Sequence, residues 1–172
     1  MKMRFEKVSL EQYMNDYLKA VGKNPEEELS EEDAREIIKI YSDIKLPERG
    51  TKYSAGYDFF LPYSIKFTRK KPTLIPTGIR FKCDNDKYLE CVPRSGLGFK
   101  YGMALINTIG VIDSDYYESS NEGHIMAKVT CLEDFDLDKG KGFMQGIISK
   151  YYLVDDDNSE GVRDGGFGST GA

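Results

Sequence analysis

The sequence predicts a mainly β fold, a barrel or jelly roll, with a two-helix segment near the N-terminus and a flexible Gly-rich C-terminal arm. Three observations lead there. From Leu46 onward, short runs of β-branched and aromatic residues recur, closely punctuated by Gly, Pro, Asp and Asn. That texture belongs to antiparallel strands rather than to strand–helix–strand units. Ahead of it, residues 9–43 space their apolar side chains by the helical period. Behind it, Gly161–Ala172 is too Gly-rich to bury apolar surface of its own.

"MRFEKV" (3–8) alternates apolar and polar residues and predicts a short strand. Ser9 then opens S-L-E-Q, a capping-box pattern, and Leu10, Tyr13, Met14, Tyr17 and Leu18 fall on one helical face. After the polar turn "GKNPEEE", Ser30 opens a second helix with Ala34, Ile37, Ile38 and Tyr41 on one face. Packing is the first reading of both stripes, and a surface for a regulatory protein partner is the second. The strand-rich runs follow: "YDFFLPYSIKF", "TLIPTGIRFKC", "KYLECVPR", "MALINTIGVID", "HIMAKVTCL" and "GFMQGIISKYYLV". "DFDLDKGKG" (134–142) lacks the EF-hand spacing and its closing Glu, so it predicts a solvated turn. "VDDDNSEG" (154–161) is an acidic linker. The division is therefore one β domain over 1–160, carrying the insertion at 9–43, and an arm over 161–172.

Bulk properties narrow the function. A length of 172 residues fits one domain, and a net charge of -5 disfavours nucleic acid and anionic membranes as partners. A nucleotide remains admissible, because a few Arg residues and a divalent ion meet its charge locally. "MKMRFEKVSLEQY" has no long apolar run, so neither a signal peptide nor a membrane span is expected and the location is cytoplasmic. Cys83, Cys91 and Cys131 are odd in number and lack C-x-x-C spacing, which fits reduced thiols. His124 is the only histidine, which disfavours a His-rich metal site and a Ser-His or Cys-His triad.

Four polar clusters interrupt the β framework. "SAGYDFF" places Asp58 after a Gly turn. "PRSGLGFKYG" sets Arg94 beside Ser95 and Gly96, where backbone N–H groups next to a guanidinium suit a phosphate. "NTIGVIDSDYY" puts Asp113 after an apolar pair, at the mouth of a hairpin, where its carboxylate suits a general base for water. The tail, "GVRDGGFGSTGA", keeps one ring, one Arg and a Ser-Thr pair among its glycines.

In this order, "AGYDFF", "PRSGLG", "NTIGVIDSDYY", "GKGFMQGII" and "GGFGSTG" resemble the five motifs of the trimeric dUTPases (deoxyuridine 5'-triphosphate nucleotidohydrolases), of a bacterial or phage type. The similarity runs from about Leu46 to the C-terminus, with "MRFEKV" as the family's first strand. It implies a dUTPase-like β fold, with hydrolysis of dUTP to dUMP and pyrophosphate in a homotrimer whose sites are shared between subunits. Asp113 would activate the water that attacks the α-phosphorus. Arg94, Ser95 and Gly96 would hold the triphosphate, Gln145 would reach an α-phosphate oxygen, and Asp58 would be the supporting carboxylate. Mg²⁺ would be held mainly by the phosphates and water. Backbone groups between Asn107 and Ile112, including Gly110 and Val111, would read the uracil edge. Tyr116 would lie under the deoxyribose, and Met126 would close the far wall, beside a His124 with a structural role. Phe167 would stack on the uracil, with Gly168, Ser169 and Thr170 over the phosphates and Arg163 at the terminal one.

Two departures are visible. "ESSNEG" is longer than the family's link after its third motif, and Val162 stands where the tail's Arg is usual, with Arg163 one step later. Two alternatives stay open. One is dCTP deaminase, or the bifunctional deaminase-dUTPase, of the same fold; that branch resembles this chain less, because it requires a Trp and the chain has none. The other is a nucleotide-gated regulatory protein that binds through residues 9–43.

Overall fold

β1 (Arg4–Lys7) pairs antiparallel with β6 (Ile79–Lys82), and Phe5 lies opposite Phe81 with their rings 4.8 Å apart. The alternation in "MRFEKV" thus ends as a strand edge packed into the aromatic core. The computed structural model describes residues 2–161 and residue 163. Among these, three further antiparallel sheets complete the body. β5 (Thr73–Pro76), β10 (Met126–Thr130) and β8 (Ala104–Leu105) form one, and β11 (Phe135–Leu137) with β4 (Ile65–Phe67) another. The largest runs in the order β2 (Glu48–Arg49), β3 (Gly56–Phe60), β12 (Gly142–Lys150), β7 (Lys87–Pro93), β9 (Gly110–Asp113). These sheets stay open, so the jelly-roll expectation fits the described residues and closure into a barrel does not.

β12 is the axis of the large sheet, paired on both sides. Its register against β3 shifts between Gly142 and Met144, a bulge that leaves Phe143 without an opposite residue and wholly buried. Gly146 sits where a Cβ would come within 2.9 Å of both Leu89 and Phe59. No larger residue fits between those two core side chains.

The predicted helices form as α1 (Leu10–Ala20) and α2 (Glu31–Ser42). Ser9 Oγ accepts from the Gln12 N–H and Ser30 Oγ from the Asp33 N–H, each at 3.1 Å. Glu31, Glu32 and Asp33 in the first turn of α2, with Lys39 in its last, suit the helix dipole. The capping box at Ser9 is completed differently from the expectation. Gln12 turns to Asp16, and it is Glu122, over a hundred residues away, that accepts from the Ser9 N–H and hydroxyl.

Tyr13, Leu18, Ile37, Ile40 and Ile44 join the same core as the strands, so most of the apolar surface suggested for a partner is already covered, Ile38 excepted. Within α2, Ile37 of the predicted stripe is buried and Tyr41 packs against the core, but Ile38 is 47% exposed and Ile40 takes its place. Both sets fit the helical period, so packing against the β body decides between them.

Three other expectations change. Residues 104–113 form no hairpin. β8 pairs with β10 and β9 with β7, so this stretch carries the chain from one sheet to another. A third of the predicted charged turn at 134–142 is strand β11, anchored by Phe135, which stacks on Phe67 and Tyr101. Finally, Arg94 leads into a short helix, α3 (Ser95–Tyr101), closed by Gly102 at φ 60°. Cys83, Cys91 and Cys131 are free thiols and buried; burial pushes the Cys91 thiol up to about 12.

Candidate active site

Sheet register builds the first cluster. On β12, Gln145 lies between Asp58 of β3 and Val92 of β7, and two residues past Val92 the chain reaches Arg94. Gln145 Nε2 donates to Asp58 Oδ1 at 3.0 Å, and Arg94 Nε lies 3.5 Å from the same oxygen. One half-buried carboxylate therefore aims both side chains. Two glycines make the space. A Cβ on Gly56 would stand 3.0 Å from Gln145 Oε1, and one on Gly142 would stand 2.8 Å from Arg94 Nη1. Ser95 and Gly96 are the first residues of α3, where no preceding helical carbonyl reaches their N–H groups. A cavity of about 300 Å³ opens here, lined by Arg94, Ser95, Gly96, Leu97, Leu137, Lys141, Gly142 and Gln145. Lys141 is a second cation at this cavity that sequence reasoning missed. It stood in plain view inside "GKGFMQGII".

The second cluster is a cavity of about 240 Å³. Its walls include the predicted Asn107, Gly110, Val111, Ile112, Tyr116, Met126 and Arg163. Ile125, next to Met126, also lines it, as do Cys91, Leu105, Ala127 and Met144, which were not anticipated. Those four are core residues of strands, and nothing local in the sequence sets them apart from the rest of the core. At Gly110 a Cβ would meet Cys91 Cβ at 3.1 Å, so the two backbones approach closely. Tyr116 sits in the 3₁₀ turn Ser114–Glu118 and is buried. Its hydroxyl donates to the His124 carbonyl at 2.9 Å and accepts from Asn121 Nδ2 at 2.7 Å. Burial holds its phenol above the usual range.

His124 is wholly buried and serves the frame. Its Nε2 accepts the Gly78 N–H at 2.8 Å, so the ring proton resides on Nδ1, which donates to Asp16 Oδ2 at 2.7 Å. Burial pushes Asp16 up, but hydrogen bonds from His124 and Gln12 outweigh it and leave the carboxyl below its ordinary range.

Asp113 ends β9 with its carboxylate 44% exposed. The Arg163 guanidinium donates to it and, through Nε, to Asp115 Oδ1 at 2.9 Å. Arg163 therefore stands at the second cavity, against the predicted base, and not among Arg94, Ser95 and Gln145. Two carboxylates two residues apart offer its fork a bidentate seat.

The two clusters are separate within one chain. Asp113 pairs with Tyr88 on β7 and Gln145 with Val92; at the strand rise, four residues span ~13 Å. Phe167, Gly168, Ser169 and Thr170 lie outside the described residues. Among the described residues, no group of three His, Cys, Asp or Glu side chains could hold a metal ion by itself.

Residues 42–171 match the sequence model of the dUTPase family. The deoxyuridine 5'-triphosphate nucleotidohydrolase of Lactococcus lactis subsp. lactis is 38% identical over 144 residues, which cover 80% of this chain and 96% of that protein. Among solved structures, the dUTPase from Streptococcus mutans is 34% identical with a TM-score of 0.58, covering 64% of this chain and 88% of its own. The dUTPase from phage phi11 of S. aureus is 13% identical with a TM-score of 0.60, covering 94% of this chain and 97% of its own. At that identity the phage protein shares the fold.

Proposed function

The chain belongs to the dUTPase family, and we propose that its two cavities are the phosphate half and the nucleoside half of a dUTP-hydrolysing site completed between subunits. It is a dUTP diphosphatase, converting dUTP to dUMP and pyrophosphate. The observation that carries the shared site is the offset of Asp113 from Gln145 along β7. A general base must reach its water within hydrogen-bond range, and that water must stand in line with the α-phosphorus. An offset of ~13 Å exceeds that reach. Asp113 of one subunit would therefore work with Arg94, Ser95, Gly96 and Gln145 of a neighbour, as a cyclic homotrimer allows.

In the chemical step Asp113 takes a proton from water. The water oxygen bonds to the α-phosphorus, and the bridging oxygen leaves with pyrophosphate. Gln145 donates to an α-phosphate oxygen while Arg94, Lys141 and the Ser95 and Gly96 amides meet the remaining charge. Asp58 keeps Gln145 and Arg94 aimed. The magnesium ion implied by the family fits this donor set: the phosphates and water would hold it, with Asp58 beside them, and no three-acid cluster is needed. When bound, it supplies charge neutralisation and fixes the phosphate chain.

On the nucleoside side, backbone groups of Asn107–Ile112 would pair with the uracil edge, and a close fit there would exclude a 5-methyl group. Tyr116 lies under the deoxyribose and excludes a 2'-hydroxyl, with Met126 on the opposite wall. Phe167, Gly168, Ser169 and Thr170 would close over the nucleotide. Arg163 would then leave the Asp113–Asp115 pair for the terminal phosphate. No helix among the described residues is long and apolar enough to cross a membrane. The three free, buried thiols support a reducing, cytoplasmic setting.

Pyrophosphate release with Mg²⁺ from dUTP, dTTP, dCTP and UTP tests the activity; release from dUTP alone is expected, and ammonia from dCTP would overturn it. Mixing tests the shared site. Asp113→Ala and Arg94→Ala proteins, each inactive, should recover about a quarter of parental activity in mixed trimers, the statistical share of sites with both halves intact. Mixed trimers without recovered activity would refute the sharing.

A further inference from the structure

Residues 9–43 and the loop 118–123 are the two places where the sequence exceeds its family's pattern, and the structure joins them. Glu122, held at φ 57°, accepts from the N–H and hydroxyl of Ser9 at 2.7 and 2.6 Å, at the first residue of α1's cap. Two residues on, the His124 ring is bonded at both nitrogens, to Asp16 of α1 and to the Gly78 backbone. The loop is thus tied to α1 at two points. Between them Gly123, at φ 70°, admits no side chain: a Cβ would stand 2.7 Å from the Tyr116 carbonyl oxygen and Tyr117 Cα. From His124 the path to the nucleoside cavity is short. Its carbonyl accepts the Tyr116 hydroxyl, and the next residue, Ile125, donates its N–H to Ile79 at 2.8 Å and lines the cavity with Met126.

We infer that α1 is part of the frame of the nucleoside pocket, and that Asp16, through His124, is the positioning residue that sets where Tyr116 and the Ile125–Met126 wall meet the sugar and base. Asp16 is buried and does not line the cavity, so it acts only through His124. A buried, fully paired polar network holds one arrangement where apolar packing tolerates several. The helical insertion then serves substrate selection from within the fold. This rests on the reading of the cavity as the deoxyribose and uracil pocket.

The experiment uses the full chain with Asp16→Ala, Asp16→Asn and, as a control on the pocket itself, Tyr116→Ala. Steady-state kinetics on dUTP and UTP are read beside oligomeric state and Tm. Asp16→Ala should raise KM for dUTP ~10-fold and lower the preference for dUTP over UTP, with kcat within about 2-fold of the parent, because the phosphate half is untouched. Asp16→Asn keeps an acceptor for the His124 Nδ1–H and should restore both parameters. Parental KM and sugar preference in folded Asp16→Ala protein, with only Tm lowered, would overturn the inference. If Asp16→Ala fails to fold, Ser9→Ala at the exposed end of the same tie takes its place: a smaller rise in KM supports the proposal, and parental KM overturns it. The two readings fail differently. Unchanged sugar preference in Tyr116→Ala removes the pocket assignment, whereas its loss there and its retention in Asp16→Ala removes the role of α1 alone.

Discussion

The proposed phosphate half and the proposed nucleoside half of this site are held in place by different means. Asp58, Gln145 and Arg94 are fixed by strand register, with Gln145 directly opposite Asp58 and next to the strand that delivers Arg94. Tyr116 and His124 hang instead from turns and from hydrogen bonds that lead to a helix more than a hundred residues earlier in the chain. A sheet fixes spacing through its repeating backbone ladder and needs only a few correct side chains. A loop must be tied down one contact at a time. The first half should therefore respond to substitution chiefly in rate, and the second chiefly in stability and substrate affinity.

The largest expected effect lies on the sheet side. Arg94→Ala should lower kcat/KM for dUTP ~10³-fold, the scale of losing a group that meets transition-state charge, with little change in Tm. Pyrophosphate release and thermal melting on one sample measure both. Next comes the loop. Gly123→Ala forces a Cβ against backbone at positive φ and should cost ~2–3 kcal/mol of stability, seen as a Tm drop of several degrees. If Gly123→Ala instead reduced kcat alone, the contrast between the halves would fail. Gly142→Ala presses on the far end of a flexible Arg94 side chain, so it should cost only ~10-fold in kcat and leave Tm near the parent.

The smallest effect is a pH term. Asp16 is held below its ordinary carboxylate range, so its contribution to stability is present at neutral pH and is lost as pH falls below that range. Urea unfolding of the parent against Asp16→Asn should show the difference shrinking toward acid. A constant difference would mean that Asp16 contributes through packing alone.

The same contrast explains what was legible in the sequence. Asp58, Arg94, Ser95, Gly96 and Gln145 sit in short local motifs, which named them without showing that one sheet brings β3, β7 and β12 side by side. The ties Ser9–Glu122 and Asp16–His124 join residues of common types at long range, and no local pattern names such partners. One signal was available: Asp16 lies three residues after Tyr13, on the face of α1 that turns to the core, in a chain with one histidine. Pairing was the other gap. The β-rich run "MALINTIGVID" suggested a hairpin, yet β8 and β9 each pair outside that segment, because residue type identifies a strand and not its neighbour. In α2 the stripe Ala34, Ile37, Ile38 and Tyr41 fits the helical period, yet packing against the β body buries Ile40 and leaves Ile38 exposed.

The bulge in β12 also changes the phase of that strand. In an unbroken strand, Gly142 and Gln145, three residues apart, would point to opposite faces. The one extra residue, Phe143, turns an odd separation into an even one, so the clearance at Gly142 for Arg94 and the amide of Gln145 open on the same cavity. Phe143 and Met144 meanwhile both lie buried in succession, which an alternating strand would not allow. A single insertion in the ladder thus lets one strand present its polar work on one side without giving up a core residue on the other.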